Sequence, residues 1–483
     1  MKNNQFLKSF IGGLFCLLMI GWLPAQSSKI NSKAIESYVQ HIQKRHEIPG
    51  VALAILRKGE VIFQKNFGNA SIEHNSPIRD ESIFRVYSLT KPIVAVAIFQ
   101  LIEQGKLSLD DSIEKYVDGL PATWRKIQIK HLLTHASGLP DMAPFTRMHA
   151  IDEEQARDTV FQQQMKSDIG EVYQYNQTNF WLLQKIIEHA SQETLEEFIA
   201  KNQFDDERKH VFFSSNSKEI VLHRVTPYFP FETGTIQIDH STIKGRYMLA
   251  ANGLNITLKE FVQWDQRLRN NQLLKEETKE KMFQTFPYTK SNKLFTYGWD
   301  KRMLNNHESY GFSGSLITAY RVFPQDDLSI IFLSNGLGNY YNIENIINYI
   351  ASLVDDDIIN HQNNAFETLS QSIVDGDKGE LNRSFSTLVK KHDAGKINLE
   401  VALNDVGYQL INQRRLEKAL AAFQLNTKKF PKSANTFDSL GEIYLMLNDL
   451  ELAERNYKKA IALGGTQGNA KTMLDRIQQT KKN

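Results

Sequence analysis

The sequence predicts an α+β protein: an antiparallel sheet flanked by helices, an all-helical subdomain, and an all-α tail. Three observations carry this. Near the N-terminus two short apolar runs, Val51 to Leu56 and Val61 to Phe67, are separated by Lys58-Gly59-Glu60, a hairpin signal. From Leu294 to Asn335 the chain alternates in short runs bounded by Gly, Asn, Pro or Asp, which predicts several strands joined as a meander. Beyond residue 396 the chain repeats itself with a period of 34 residues. A hairpin and a meander on either side of a helical middle describe one sheet completed by both ends of a domain.

Composition sets the outer bounds. The chain has 483 residues, too many for one ordinary domain, with 41% apolar and 23% charged residues, as in a globular protein with a sizeable core. A formal net charge of +2 and the lack of any long basic run predict no nucleic-acid partner. Residues 1–25 read as an export signal. Lys2 and Lys8 supply the positive start, Ile11 to Leu23 the apolar run, and Leu23-Pro24-Ala25 a small-residue cleavage site. That run falls short of the roughly 20 apolar residues a bilayer span needs. No stable membrane span is therefore expected after cleavage. Cys16 is the only Cys, and bulky Phe15 before it does not suit a lipidation signal. A chain cleaved after residue 25 has no disulfide, Cys zinc site or Cys nucleophile, which fits a periplasmic or secreted bacterial protein.

Taken in order, Ser32 to His46 is an amphipathic helix with Ile35, Tyr38, Val39 and Ile42 on one side, and the hairpin follows. Phe84 to Gly105 then predicts a helix at the centre of a large core, because Ile93, Val94, Val96, Ile98, Phe99, Leu101 and Ile102 make it apolar nearly all round. Pro92 is tolerated only near a helix start, so the first turn lies close to Ser88, and Gly105 is the stop. Further helices are expected over Phe180 to His189, Thr194 to Asn202, Leu258 to Leu268, Glu276 to Phe283 and Ile343 to Val354, with residues 205–245 irregular. Asp355-Asp356-Asp357 and the Asn-rich stretch to Asn364 read as a solvated boundary rather than a metal site. The expected organisation is a catalytic-type domain over residues 26–355, a helical linker over 356–395, and a repeat region over 396–483.

In that last region Gly407 and Gly441, Ala419 and Ala453, Phe423 and Tyr457, Leu403 and Phe437, and Val406 and Leu440 are each 34 residues apart. This is the period of the tetratricopeptide helix-turn-helix, in which small residues let two helices approach and an aromatic fills the next gap. Pro431 ends the first unit, Gly468 to Thr480 is expected to cap the array, and helices within 365–392 to cover its other end. Two units make a short groove. A packing or self-associating appendage is favoured over a groove for a partner peptide.

Ser88 and Lys91 are three residues apart at the start of the central helix and project from one face. A hydroxyl beside an amine suggests a nucleophile with its base; the plainer reading is an N-capping Ser beside a solvated Lys. Three further stretches decide between them: Leu132-Leu133-Thr134-His135-Ala136-Ser137-Gly138-Leu139, Tyr175-Asn176-Gln177 before a helix, and Tyr310-Gly311-Phe312-Ser313-Gly314-Ser315 on an expected strand. With Tyr297-Gly298-Trp299 and the closing Phe332-Leu333-Ser334-Asn335, their order and spacing resemble the penicillin-binding, class C β-lactamase-like serine hydrolases over about residues 33–355.

The resemblance implies an antiparallel sheet flanked by helices with a helical subdomain, and a site between them. It implies Ser88 as nucleophile, Lys91 and Tyr175 as a coupled proton-transfer pair, and an oxyanion hole from the backbone N–H groups of Ser88 and Ser315. Substrate contacts would come from Gln177, Phe312, Ser313 and Gly314. Which of Lys91 and Tyr175 takes the proton is open, since their reference pKa values are near 10.4 and 10. Two departures matter. Gln177 stands where the family has Asn, keeping the amide on a longer arm. Phe312 stands where the family has His or Lys, replacing a carboxylate-holding cation by an apolar wall. An efficient β-lactamase is therefore not expected, and uncharged ester or amide substrates are. The reading from another class is a degenerate protein that binds cell-wall ligands or protein partners without turnover. His131 and His135 have i, i+4 spacing, but no Glu follows His131 and no third ligand is evident, so no metal is expected. No phosphate-cradling glycine loop occurs, and no cofactor is expected. The substrate is a small molecule or peptide.

Overall fold

The computed structural model describes residues 30–143, 152–205, 210–230, 236–239, 243, 245–337, 342–464 and 470–480. The expected export segment with Cys16, and Gly468 at the start of the expected cap, lie outside the described residues. Helix α1 (Ser32–His46) leads into strands β1 (Gly50–Arg57), β2 (Glu60–Ser71) and β3 (Ser76–Pro77). Strand β4 (Ile83–Arg85) precedes a 3₁₀ turn over Tyr87–Leu89 and helix α2 (Thr90–Glu103). The middle of the chain holds α3 (Ile129–Leu133), α4 (Glu153–Phe161), α5 (Thr178–Ser191), α6 (Leu195–Gln203), short strands β5 (Val211–Phe213), β6 (Tyr228–Pro230) and β7 (Ile236–Ile238), and α7 (Leu249–Asn252). Next come β8 (Leu254–Thr257), α8 (Leu258–Arg269) and α9 (Glu276–Met282), then the meander β9 (Asp300–Leu304), β10 (His307–Gly314), β11 (Thr318–Phe323) and β12 (Leu328–Ser334), closed by α10 (Ile343–Val354).

The hairpin and the meander form one seven-stranded antiparallel sheet in the order β3-β2-β1-β12-β11-β10-β9. Its seam is the pairing of β1 with β12, Val51 opposite Ser334 and Arg57 opposite Leu328. Both strands are buried along almost their whole length because helices cover both faces. The period of two sorts their side chains. Ala52, Ala54, Leu56, Ile331 and Leu333 face the core shared with α2 and the helical subdomain. Val51, Leu53, Ile55, Ile330 and Phe332 face α1 and α10. Helix α2 runs through the first core, with every side chain from Thr90 to Leu101 buried. Its one conspicuous break with helix propensity, Pro92, falls in the first turn, where a missing N–H leaves no bond unmade. The Leu294–Asn335 stretch departs from expectation at one point: residues 295–299 are not strand, and β9 begins only at Asp300.

The tail continues through α11 (His361–Val374), α12 (Lys378–Asp393), α13 (Leu399–Asn412), α14 (Leu416–Lys429), α15 (Ala434–Met446), α16 (Leu450–Ala462) and α17 (Ala470–Thr480). The same helix–helix contact occurs twice, 34 residues apart. A Cβ on Gly407 would sit 2.4 Å from the Phe423 ring, and one on Gly441 would sit 2.9 Å from the Tyr457 ring. Helices α11 and α12, in the stretch expected as a linker, share a core with α13 and α14 through Leu369, Ile373, Leu388, Leu403 and Phe423.

The tail is also clasped to the first domain. Arg45 on α1 donates through Nη2 to Glu367 Oε2 on α11 at 2.6 Å, with both side chains almost wholly buried. His41 pairs with Asp375 beside it. A buried pair adds little net stability over an apolar pair, but losing one partner strands a charge, at a cost of roughly 3–5 kcal/mol. Arg45→Met should therefore lower stability by about that amount in urea unfolding, and Arg45→Met with Glu367→Leu should recover most of the loss. A double variant no more stable than the single would contradict this account.

Candidate active site

Ser88 sits in the 3₁₀ turn before α2, half-buried, and Lys91 lies in the first turn of α2, fully buried. The three-residue spacing brings Lys91 Nζ to 3.4 Å from Ser88 Oγ. Two more contacts fix the amine: it donates to Gln177 Oε1 and to the Ala251 carbonyl, each at 2.8 Å. Tyr175 Oη lies 2.7 Å from Ser88 Oγ. The Lys91 amine also stands over the rings of Tyr175 at 4.9 Å and Phe180 at 5.0 Å. Burial pushes the Tyr175 phenol up, but the Lys91 charge outweighs it, together with hydrogen bonds from Lys91, Ser88 and Gln177. The phenol is held below its ordinary value of 10.

Each neighbour has a structural cause. Tyr87, just before Ser88, takes φ +49°, a conformation costly for a bulky residue. Its ring is capped by the Arg85 guanidinium at 4.5 Å and its hydroxyl donates to Asp239 Oδ2 at 3.1 Å. Gly314 on β10 permits the sheet to close on the same turn, since a Cβ there would lie 1.9 Å from the Val86 carbonyl oxygen. Thr318 donates to that oxygen at 3.1 Å. Ser315 and Leu316 follow with φ +46° and +64°, turning β10 into β11. Among the described residues the Ser315 N–H makes no backbone hydrogen bond. Ser88, in the first turn, has no intrahelical acceptor for its own N–H.

The LLTHASGL run supports the Tyr175 segment. The His135 carbonyl accepts from the Gln174 N–H at 2.9 Å, and the Ala136 carbonyl from Gly170 at 2.8 Å. The buried His135 ring meets Asn179 Nδ2 at 3.0 Å through Nδ1 and packs on the Tyr175 ring at 4.7 Å. Burial and the Lys91 charge keep His135 neutral, well below 6.5. His131 Nδ1 accepts the Gln128 N–H at 3.1 Å, and burial lowers it to about 4. Among the described residues no three His, Cys, Asp or Glu side chains are grouped to hold a metal ion. Asn176 turns inward: its Nδ2 donates to the Leu139 carbonyl at 3.2 Å and its Oδ1 caps Asn179 N–H at 3.0 Å. Gln177 is thus the amide facing the site. Tyr297-Gly298-Trp299 is packing, not chemistry: Trp299 is buried, and a Cβ on Gly298 would lie 2.4 Å from the Ala95 Cβ.

The Ser88 cluster opens on a cavity of about 510 Å³, which neither Lys91 nor Gly314 borders. Ser88, Tyr175, Gln177, Phe312, Ser313 and Ser315 all border it. Phe312, 8% exposed, packs on Tyr175 at 6.1 Å between ring centroids and walls the cavity as well. Residues absent from the expected set also border it: Tyr173, Phe229, Phe295, Lys293, Asp300 and Arg302. Of these Phe229 falls on β6, and Asp300 and Arg302 on β9, where alternation signalled the strand alone. Lys91 is fully buried, but Phe312 does not leave the cavity without a cation, because Lys293 and Arg302 bring two from outside the quoted motifs. A larger cleft of about 880 Å³, bordered by Phe283, Tyr310 and Tyr320, holds none of Ser88, Lys91 or Tyr175.

A sequence profile of the family described as Beta-lactamase matches residues 35–349. Penicillin-binding protein 4* of Bacillus subtilis (strain 168) is 24% identical over 327 residues, which is 63% of this chain and 71% of that protein. The chain spans only 39% and 62% of the length of two further curated relatives. Among solved structures, the octameric penicillin-binding protein homologue from Pyrococcus abyssi superposes with a TM-score of 0.59 at 23% identity, over 67% of this chain and 77% of the other. EstCE1, described as a hydrolase with promiscuous acyltransferase activity, gives 0.55 at 19% identity, over 63% and 93%. At these identities the structural likeness shows the fold alone.

Gly314→Val tests the closure of the sheet on the Ser88 turn. Overpacking against backbone typically costs about 1–3 kcal/mol. The variant should unfold at lower urea and show a weakened Tyr175–Ser88–Lys91 cluster, read as a rise in the Tyr175 phenol pKa by difference spectroscopy. Wild-type behaviour in both measurements would show that the close approach is not needed.

Proposed function

We propose that this chain, which belongs to the Beta-lactamase family and is a serine hydrolase, cleaves esters or amides through an acyl-enzyme on Ser88. The observation that carries the reading is the convergence on Ser88 Oγ of Tyr175 Oη at 2.7 Å and Lys91 Nζ at 3.4 Å. Tyr175, as phenolate, takes the Ser88 proton while Oγ bonds to the substrate carbonyl carbon. Lys91 supports this because its charge lowers the phenol, and because its other two contacts are to carbonyl oxygens, which suit an ammonium. The oxyanion is taken by the N–H groups of Ser88 and Ser315. Tyr175 then returns the proton to the leaving alcohol or amine, and water repeats the sequence to release the acid. Gln177, through Oε1, holds Lys91 and presents its amide to the substrate; Ser313 and Gly314 offer the strand edge.

The Phe312 wall in place of the family cation supports esterase- or peptidase-like action over efficient β-lactam hydrolysis. Export through residues 1–25 to a periplasm or the medium remains the proposed location, and no helix among the described residues is long and apolar enough to cross a membrane. The tail is proposed to be a tetratricopeptide-like appendage for packing, self-association or a protein partner, supported by the Gly407–Phe423 and Gly441–Tyr457 contacts.

Ser88→Ala should abolish labelling by a fluorophosphonate and lower ester turnover by at least about 10³-fold. A short-chain nitrophenyl ester should be turned over faster than a chromogenic cephalosporin; the reverse order would count against the substrate reading. The pH-rate profile carries a sign. A base whose pKa is depressed is active above that pKa, so labelling should rise with pH and level off before pH 10. Tyr175→Phe should remove that limb. An unchanged profile in Tyr175→Phe would move the base to Lys91.

A further inference from the structure

Strand β9 pairs with β10 from His307 opposite Leu304 to Gly311 opposite Asp300 and goes no further. Phe312 and Ser313 of β10, and Ser315 just after it, therefore border the Ser88 cavity beyond the end of their edge partner. The point where β9 begins is charged. Asp300 Oδ1 accepts from Lys293 Nζ and its Oδ2 from Arg302 Nε, both at 2.5 Å, and buried Arg321 Nη2 lies 3.3 Å from the same carboxylate. Arg321 is shared with Glu344, whose Oε2 takes its Nε at 3.0 Å. Three cations thus face two carboxylates, leaving one positive charge over. Lys293, standing 5.4 Å over the Tyr173 ring, and Arg302 are each about a third exposed, at 35% and 34%, and both line the cavity. Among the described residues the two Nη groups of Arg302 make no hydrogen bond, while its Nε is tied to Asp300. A guanidinium anchored at Nε, with a free outer edge beside an ammonium and an excess positive charge, is built to take a carboxylate by two parallel hydrogen bonds.

We infer that Lys293 and Arg302 form an anion subsite at the far end of the Ser88 cavity, so that the preferred substrate carries a carboxylate remote from its scissile bond. This rests on the hydrolase reading and names its substrate class. It also differs in place from the cation that Phe312 lacks. Arg302 is opposite Ser309, three residues from Phe312 along β10, so its backbone lies about 10 Å along the sheet from that position at ~3.4 Å per residue. An acyl chain or leaving group of several atoms is needed to reach it, past the aromatic walls of Phe295 and Phe312.

The test uses the full chain and two substrate series. One holds nitrophenyl half-esters of α,ω-diacids of increasing length, each against its methyl-capped neutral counterpart. The other holds acetyl esters of ω-hydroxy acids, each against the corresponding primary amide. In one series kcat/KM should favour the anionic member by about 10-fold or more at the matching length, and added salt should weaken the preference. Arg302→Gln and Lys293→Gln should each bring the ratio toward one, and Arg302→Lys should keep part of it. Equal turnover of anionic and neutral members in both series, or a ratio that neither variant moves, overturns the subsite while labelling of Ser88 leaves the hydrolase intact. Absence of Ser88 labelling in the folded wild type overturns the hydrolase reading and the subsite with it.

Discussion

The structure depends most on the burial of one ammonium. Lys91 lies at 0% exposure in the first core, and a charge there is tolerable only if its hydrogen bonds are met. They are met from different parts of the chain: Ser88 from the turn before α2, Gln177 from the start of α5, and the Ala251 carbonyl from α7. Of these groups only Ser88 is near Lys91 in sequence. Holding the amine in place therefore holds the Ser88 turn, the Tyr175 loop and α7 in one arrangement. The same charge lowers the Tyr175 phenol and adds to the burial that keeps His135 neutral. Packing and the electrostatics of the Ser88 cluster here share a single cause, so a substitution at Lys91 disturbs both.

Much of this was legible in the sequence where local rules act. The boundaries of α1 and α10 follow from amphipathic spacing and asparagine caps, and Asn31 and Asn342 each accept a backbone N–H at the helix start. The strands of the meander follow from alternation. The Ser88–Lys91–Tyr175 cluster was legible because the motifs are short, ordered and chemically specific. Lys293, Asp300 and Arg302 were not, because their meaning arises from strand register: only the pairing of Asp300 with Gly311 brings them to the cavity. Tyr173, Phe229 and Phe295 join the cavity by packing, which no periodicity encodes. The stretch over residues 295–299 looked like strand because its aromatics resemble one; Gly298 at φ +92° bends it against α2 instead.

The sheet edge explains how one cavity brings two environments together. Toward Ser88 the wall is formed by Phe312 and Tyr175, an aromatic surface beside the Ser88 hydroxyl. Toward β9 it is an ion cluster in which Asp300 stays ionised: burial raises its carboxyl, but Arg302, Arg321 and Lys293 lower it further. A short β9 produces this division. If its pairing with β10 extended past Gly311, the strand would cover residues 312–315 and close the approach to Ser88.

The clasp between α1 and α11 bears on the order in which the chain is assembled. Arg45 and Glu367 are 322 residues apart, and β1 likewise finds β12 only after the helical subdomain has been made. Two contacts of the earliest elements, the clasp of α1 and the second edge of β1, are thus among the last to be made. Until then β1, paired on one side with β2, is an apolar strand with its other edge open, the kind of segment most prone to pair with another chain. The strand that closes the sheet is thus made last, and the outer edge of β1 stays unpaired until β12 has been synthesised.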